Sequence, residues 1–196
     1  MSKKYITNEI NDSINVKNDI LKDNQLLELI DVVAEHVTTA FKNKNKILIA
    51  GNGGSAADSQ HLAAEFVSRF NFDRASLNAI ALTTDTSIIT SIGNDYDFDQ
   101  IFSRQIESHG SKGDIFLAIS TSGNSKNILK ALEIAKLKKL ITVGLTGFDG
   151  GKMNSLTDFC LRIPSKETPR IQESHIMIEH IICGRVEEML FRTNIK

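Results

Sequence analysis

His61 and Glu65 stand four residues apart in the segment GNGGSAADSQHLAAE, whose pattern is helical, so an imidazole and a carboxylate share one helix face. On a helical wheel they lie opposite a stripe of Leu62, Ala63, Phe66, Val67 and Phe70. Gln172, His175, Glu179 and His180 open a very apolar last helix, where polar groups need partners if buried. His61, Glu65 and His180 together offer two imidazoles and one carboxylate with room for a fourth ligand, a composition suited to Zn²⁺. Gln172 and His180 are separated by about 12 Å of regular helix. One metal could take both only if Gln172 sits at the frayed start of the helix, or if the ligands come from two subunits. A solvated helix face and a satisfied core histidine are the ordinary alternatives. Position favours chemistry, because the His61 helix starts at a loop built for a ligand.

That loop is Gly51-Asn52-Gly53-Gly54-Ser55, where glycine allows a sharp turn and leaves amide N–H groups open toward an anion. Gly51, Gly53 and Ala56 also fit a degenerate dinucleotide-binding turn. The ribose-binding acid such a site requires is missing at the end of the next strand, since Leu82 is followed by Thr83 and Thr84 and Asp85 comes late. No Gly-Lys-Ser/Thr occurs, so a Walker A loop is absent. A second loop, Ser120-Thr121-Ser122-Gly123-Asn124-Ser125, precedes a helix beginning near Lys126. Its four hydroxyls and free amides form a neutral hydrogen-bonding cup, and the helix dipole favours a dianion such as a phosphomonoester there. Helix capping accounts for one or two hydroxyls but not for a run this dense.

The elements that must position these loops are legible as aliphatic runs. They are Ile47–Ala50, Ala79–Leu82, Ile115–Ile119, Ile141–Leu145 and Phe159–Ile163, each separated from the next by helical patterns. Short runs without polar alternation are strands covered on both faces, which predicts a three-layer α/β/α sandwich around a five-stranded parallel sheet. Ligands of such sheets bind beyond the carboxyl ends of the strands, where both loops fall. Residues 5–44 carry apolar positions at helical spacing and predict two amphipathic helices with a break near Lys22-Asp23-Asn24. The last helix, roughly Ile171 to Phe191, places Ile171, Ile176, Met177, Ile178, Ile181, Ile182, Val186, Met189 and Leu190 around most of its circumference. One sheet face cannot cover all of that surface together with two further helices, so helices are expected to pack between subunits of an even-order homo-oligomer.

Composition removes other classes. The chain has 196 residues, 41% hydrophobic and 24% charged, enough for one substantial core, and its formal charge of -1 supplies no field for gathering nucleic acid or anionic lipid. Neither a membrane-length apolar run nor a secretory signal is seen, which makes a cytoplasmic location the expectation. Cys160 and Cys183 form no close-spaced pair and are read as small buried hydrophobes.

Five blocks, GNGGSAADSQHLAAE, IGNDYDFDQIFSRQ, ISTSGNS, LTGFDGGKM and RIQESHIMIEH, occur in order. Together they resemble the phosphoheptose isomerases of the sugar isomerase (SIS) domain group over nearly the whole chain. The resemblance implies a flavodoxin-like SIS fold, with residues 1–196 as a single domain and residues 5–44 as N-terminal helices used in oligomerisation. It implies conversion of sedoheptulose 7-phosphate to D-glycero-D-manno-heptose 7-phosphate, the first step toward nucleotide-activated heptose for bacterial lipopolysaccharide or capsule. A cytoplasmic homotetramer with sites at subunit contacts, one Zn²⁺ per subunit and no nucleic-acid or membrane partner goes with it. The family's zinc ligands match His61, Glu65, Gln172 and His180. Its substrate contacts match Asn52, Gly53, Gly54, Glu65, Asn94, Asp95, Ser120, Thr121, Ser122, Ser125 and Gln172. Some isomerases carry an acid immediately before Arg170, where this chain has Pro169, a departure that bears on a peripheral sugar contact.

Aldose–ketose isomerisation needs a base to move a proton between C1 and C2 and a second group to manage charge at the two oxygens. Glu65 is assigned the carbon-bound proton and His180 the oxygen side. The competing readings are a non-catalytic SIS module and a dinucleotide enzyme. One SIS relative, a replication-initiator-binding protein, has similar loops but lacks the equivalents of Glu65 and His180, whereas this chain has both.

Overall fold

The computed structural model describes residues 2–192, in which two leading α-helices are followed by five strands interspersed with six further α-helices. α1 (Ser2–Lys22) and α2 (Asn24–Lys42) meet at Asp23, whose carboxylate accepts from Leu26 N at 3.0 Å and caps α2 where the break was expected. The strands are β1 (Ile47–Gly51), β2 (Ala79–Ala81), β3 (Ile115–Ile119), β4 (Ile141–Thr146) and β5 (Phe159–Arg162). Between them lie α3 (Gly54–Val67), α4 (Thr86–Asp95), α5 (Ser103–His109), α6 (Lys126–Leu137) and the short α7 (Met153–Leu156), and α8 (Thr168–Phe191) closes the fold.

All strand pairs are parallel, in the order β2-β1-β3-β4-β5, which is the flavodoxin-like doubly wound arrangement. The aliphatic runs form a buried sheet because both faces carry apolar side chains. Ile47, Ile49, Ile115, Leu117 and Ile119 join a core with α2, α3 and α8, while Leu48, Ala50, Phe116 and Ala118 join another with α5 and α6. β1 and β3 are neighbours although β2 lies between them in sequence, so strand order reverses there and a crevice opens at their carboxyl ends. Gly51 pairs with Ile119, which sets the glycine and serine loops side by side at that point.

One expectation is corrected. α3 ends at Val67, which is 47% exposed, so neither Val67 nor Phe70 belongs to its buried stripe. In keeping with its surplus of apolar surface, α8 is not covered all round within one chain: Ile171, Ile178, Ile182 and Val186 are buried, whereas Ile181 is 48% exposed. α1 leaves Tyr5, Ile6, Ile10 and Ile14 exposed, yet it is strapped to α8 through Arg170, which donates to Glu9 O at 2.7 Å and to Glu173 Oε1 at 2.6 Å. No described helix is long and apolar enough to cross a membrane. Both cysteines are free, with Cys183 buried and Cys160 half-buried.

Candidate active site

The serine loop departs from ordinary capping. Ser125 is the N-cap residue of α6, yet its side chain makes no cap hydrogen bond and meets Ser120 Oγ at 3.0 Å instead. Ser120 Oγ also lies 3.4 Å from Ser122 Oγ, which accepts from Asn124 N at 3.2 Å. Three hydroxyls are therefore gathered beside the N-terminus of a twelve-residue helix whose first-turn amides have no side-chain cap. Gly123 makes the turn possible. Its φ is +63°, and a Cβ there would stand 2.1 Å from Gly150 O. The segment Gly147–Gly151 closes over the loop from β4, with Gly147 N donating to Thr121 O at 3.0 Å.

The glycine loop is tied to this cup by a pair of amides. Asn52 Nδ2 donates to Asn127 Oδ1 at 2.9 Å, and Asn127 Nδ2 returns a bond to Asn52 Oδ1 at 2.8 Å. Sequence reading missed Asn127, because an asparagine in the first turn of a helix looks like surface until its partner is known. Gly53 is the N-cap position of α3 with φ +57°, and Gly54 lies so close to α8 that a Cβ would meet Gln172 Nε2 at 2.7 Å. Asp85, the late acid of the dinucleotide reading, is spent on capping α4 by accepting from Ile88 N at 2.9 Å.

Along the contact between α3 and α8 the other residues converge. His61 Nε2 lies 3.1 Å from Glu65 Oε1 and 3.1 Å from His180 Nε2, and one ligand atom from each of the three can lie within 4.8 Å of the others. Two nitrogens held at ~2.0–2.1 Å by one tetrahedral zinc would stand about 3.3 Å apart. The donor set and its spacing thus fit a metal ion. Phe70, beyond the end of α3, lies against His180 with ring centroids 5.4 Å apart.

Gln172 approaches the start of α3, the helix that carries His61 and Glu65. It lies in the regular part of α8, which begins at Thr168, and its amide is against Gly54. Asn94 and Asp95 are exposed in the last turn of α4, where Asn94 Nδ2 donates to Asp95 Oδ1 at 2.8 Å rather than to either loop. Pro169 stands in the first turn of α8, where its missing N–H costs nothing.

Midway along the same seam lie buried polar groups whose depth the sequence did not reveal. Glu179 is completely buried with no hydrogen-bond partner for either oxygen, and Asp58 Oδ2 and His175 Nδ1 are also unpartnered. Burial, followed by the facing Asp58 carboxylate, pushes the Glu179 carboxyl up to about 8. Burial also raises Asp58, against the pull of nearby His61. Burial holds the His175 imidazole down at about 4, although Nε2 lies 3.2 Å from Thr146 O. The inner face of α8 therefore carries a protonated acid and a neutral imidazole near neutral pH.

Known proteins can now be compared with this geometry. The SIS domain family matches residues 12–147. A phosphoheptose isomerase of Aneurinibacillus thermoaerophilus is 62% identical over 188 residues, covering 96% of this chain and 95% of the relative. Phosphoheptose isomerase 2 of Campylobacter jejuni is 60% identical over 187 residues, covering 95% of this chain and 93% of the relative. The solved structure of phosphoheptose isomerase GmhA from Neisseria gonorrhoeae superposes with a TM-score of 0.90 at 40% identity, over 96% of this chain and 100% of that one. With that identity sustained from α1 to α8, the chain belongs to the phosphoheptose isomerases of the SIS domain family.

Proposed function

We propose that this chain interconverts sedoheptulose 7-phosphate and D-glycero-D-manno-heptose 7-phosphate through a cis-enediol. One observation carries the assignment of roles: a carboxylate and an imidazole from helices far apart in the chain, Glu65 and His180, meet around His61. Glu65 moves the proton between C1 and C2, and His180 serves the two oxygens. The hydroxyls of Ser120, Ser122 and Ser125, with Thr121 and the amides at the start of α6, hold the remote phosphate. Asn52, Gly53 and Gly54, with Asn94 and Asp95, orient the sugar. Binding energy from the phosphate end then fixes C1 and C2 against the reacting groups.

His61, Glu65 and His180 are the residues that would hold a divalent metal, read as Zn²⁺ from two imidazoles and a carboxylate, one per subunit. When bound, it would stabilise negative charge developing on the enediolate oxygens. Glu65 cannot be a tightly held ligand and a free base at once, so its hold on the metal is labile in this reading. Gln172, whose amide lies against Gly54 at the start of the His61 helix, is read as the fourth ligand. Exposed apolar residues on α1 and on α8 support subunit contacts. The chain is accordingly read as one SIS domain in a homotetramer, with residues 5–44 in the subunit contacts and sugar phosphate as its partner. A cytoplasmic location and supply of heptose for lipopolysaccharide or capsule go with this reading.

Glu65→Gln and His180→Gln test the roles by steady-state assay with sedoheptulose 7-phosphate. Each is expected to lower kcat by about 10²–10⁴, and a near-normal kcat in either variant removes that residue from its role. A non-catalytic binding module predicts no turnover in the parent protein.

A further inference from the structure

Between α3 and β2 stands Arg74, which forms with Glu187 of α8 a buried ion pair that the isomerisation itself does not use. Arg74 Nε and Glu187 Oε1 meet at 2.8 Å, with side chains 1% and 0% exposed. Glu187 belongs to the second half of α8 and is fully engaged. Its Oε1 also accepts from Phe70 N, and its Oε2 from Asn71 N, each at 2.8 Å. The rest of the Arg74 guanidinium turns back onto the end of α3: Nη2 donates to Glu65 O at 2.8 Å, and Nη1 donates to Phe66 O at 2.7 Å. The last carbonyls of an α-helix lack intrahelical donors, and α3 ends without a glycine, so Arg74 supplies the missing cap.

Both reacting groups stand on what this pair holds. The backbone of Glu65 is fixed through its carbonyl. His180 is packed by the ring of Phe70, whose own backbone N–H is held by Glu187. Apolar residues of similar volume can replace a buried ion pair with little loss of stability, but they cannot donate to the carbonyls of Glu65 and Phe66 or accept from Phe70 N. What the pair supplies beyond packing is registration of the end of α3 against the second half of α8. We propose that Arg74 and Glu187 are a positioning pair that presets the Glu65–His61–His180 arrangement in the single chain, before metal or substrate binds. Its kinetic part rests on the isomerase reading above.

Arg74→Lys keeps a cation beside Glu187 but lacks the planar fork that spans Glu187, Glu65 O and Phe66 O together. Phe70→Leu leaves the pair intact and strips the ring from His180. Three readings are taken on each variant: the long-range nitrogen–proton NMR spectrum of the histidine rings in metal-free protein, the affinity for Zn²⁺ alone, and kcat and KM for sedoheptulose 7-phosphate. Both variants are expected to shift the His61 and His180 ring signals and weaken Zn²⁺ binding by about tenfold, as losses behind a metal ligand do. kcat should fall by about tenfold while KM stays within about twofold, because the phosphate cup is untouched. Leu132→Ala, in the core on the other face of the sheet, serves as the control with a comparable loss of melting temperature, and it should leave all three readings at parental values.

If Arg74→Lys melts early like Leu132→Ala yet keeps the ring signals, Zn²⁺ affinity and kcat of the parent, the pair is only a helix cap and the proposal is overturned. Should Arg74→Lys fail to fold, Glu187→Gln decides the matter, since it removes the charge facing Arg74 while keeping an acceptor for Phe70 N, and unchanged ring signals there overturn the proposal equally. Shifted rings and weakened Zn²⁺ binding in a protein that never turns over sedoheptulose 7-phosphate would support the positioning pair while removing the isomerase reading.

Discussion

Glu179 has both oxygens buried without a donor, so the proton it carries leaves a mark on stability. An unfolded chain releases that proton near 4.5 and the folded one near 8, so the native state binds the extra proton between those values. Stability contributed this way is complete below pH 4.5 and declines as pH rises toward 8. His175 works in the opposite direction: neutral in the fold down to about 4 but protonated below 6.5 when unfolded, it loses stability as pH falls through that window. The two effects oppose each other below pH 6.5, and above it Glu179 dominates. The urea midpoint of metal-free protein should therefore fall between pH 6.5 and 8, and Glu179→Gln should flatten the fall. A midpoint that rises over that range would mean Glu179 is ionised in the fold. His61 and Glu65 were readable together from helical spacing, whereas His180 was added by residue type and by family resemblance. Glu179 was readable as polar but not as buried, since its depth is set by α3 packing across α8.

Among the elements, the two loops at the reversal of strand order are the proposed binding elements, and their stiffness comes from contacts rather than composition. Gly123→Ala forces a side chain to within 2.1 Å of Gly150 O at a φ of +63°, so the cup must open. The expected result is a kcat/KM for sedoheptulose 7-phosphate at least about tenfold lower, with the metal trio still able to bind Zn²⁺. Equal losses of both would show that loop and trio are one unit. Asn127→Ala leaves the Asn52 amide without its partner at the edge of the same cup and should raise KM more than it lowers kcat. The strands were legible because fully buried parallel strands are written as unbroken aliphatic runs. The end of α3 was not, because Glu187 draws the N–H groups of Phe70 and Asn71 out of the helix from a position far along the chain. Local periodicity holds no trace of that contact.

At the scale of the whole molecule, a single chain brings His61, Glu65 and His180 together and sets the Gln172 amide against its own glycine loop. The apolar surface of α1 faces outward. If sites are completed across subunits, Ile10→Asp with Ile14→Asp should lower the mass seen by light scattering from four chains to two or one. The same substitutions should reduce kcat by more than tenfold, although they touch no reacting group. Undiminished kcat in dissociated chains would mean each subunit works alone. From residue pattern alone, the expectation of an oligomer rests on a surplus of helical apolar surface, because a pattern of buried positions does not say which copy buries them. The most direct test of the account is to follow sedoheptulose 7-phosphate by NMR with purified, Zn²⁺-supplemented protein. The expected result is steady appearance of D-glycero-D-manno-heptose 7-phosphate, abolished by Glu65→Gln. No conversion by folded, metal-loaded parent protein, or equal conversion by Glu65→Gln, would contradict it.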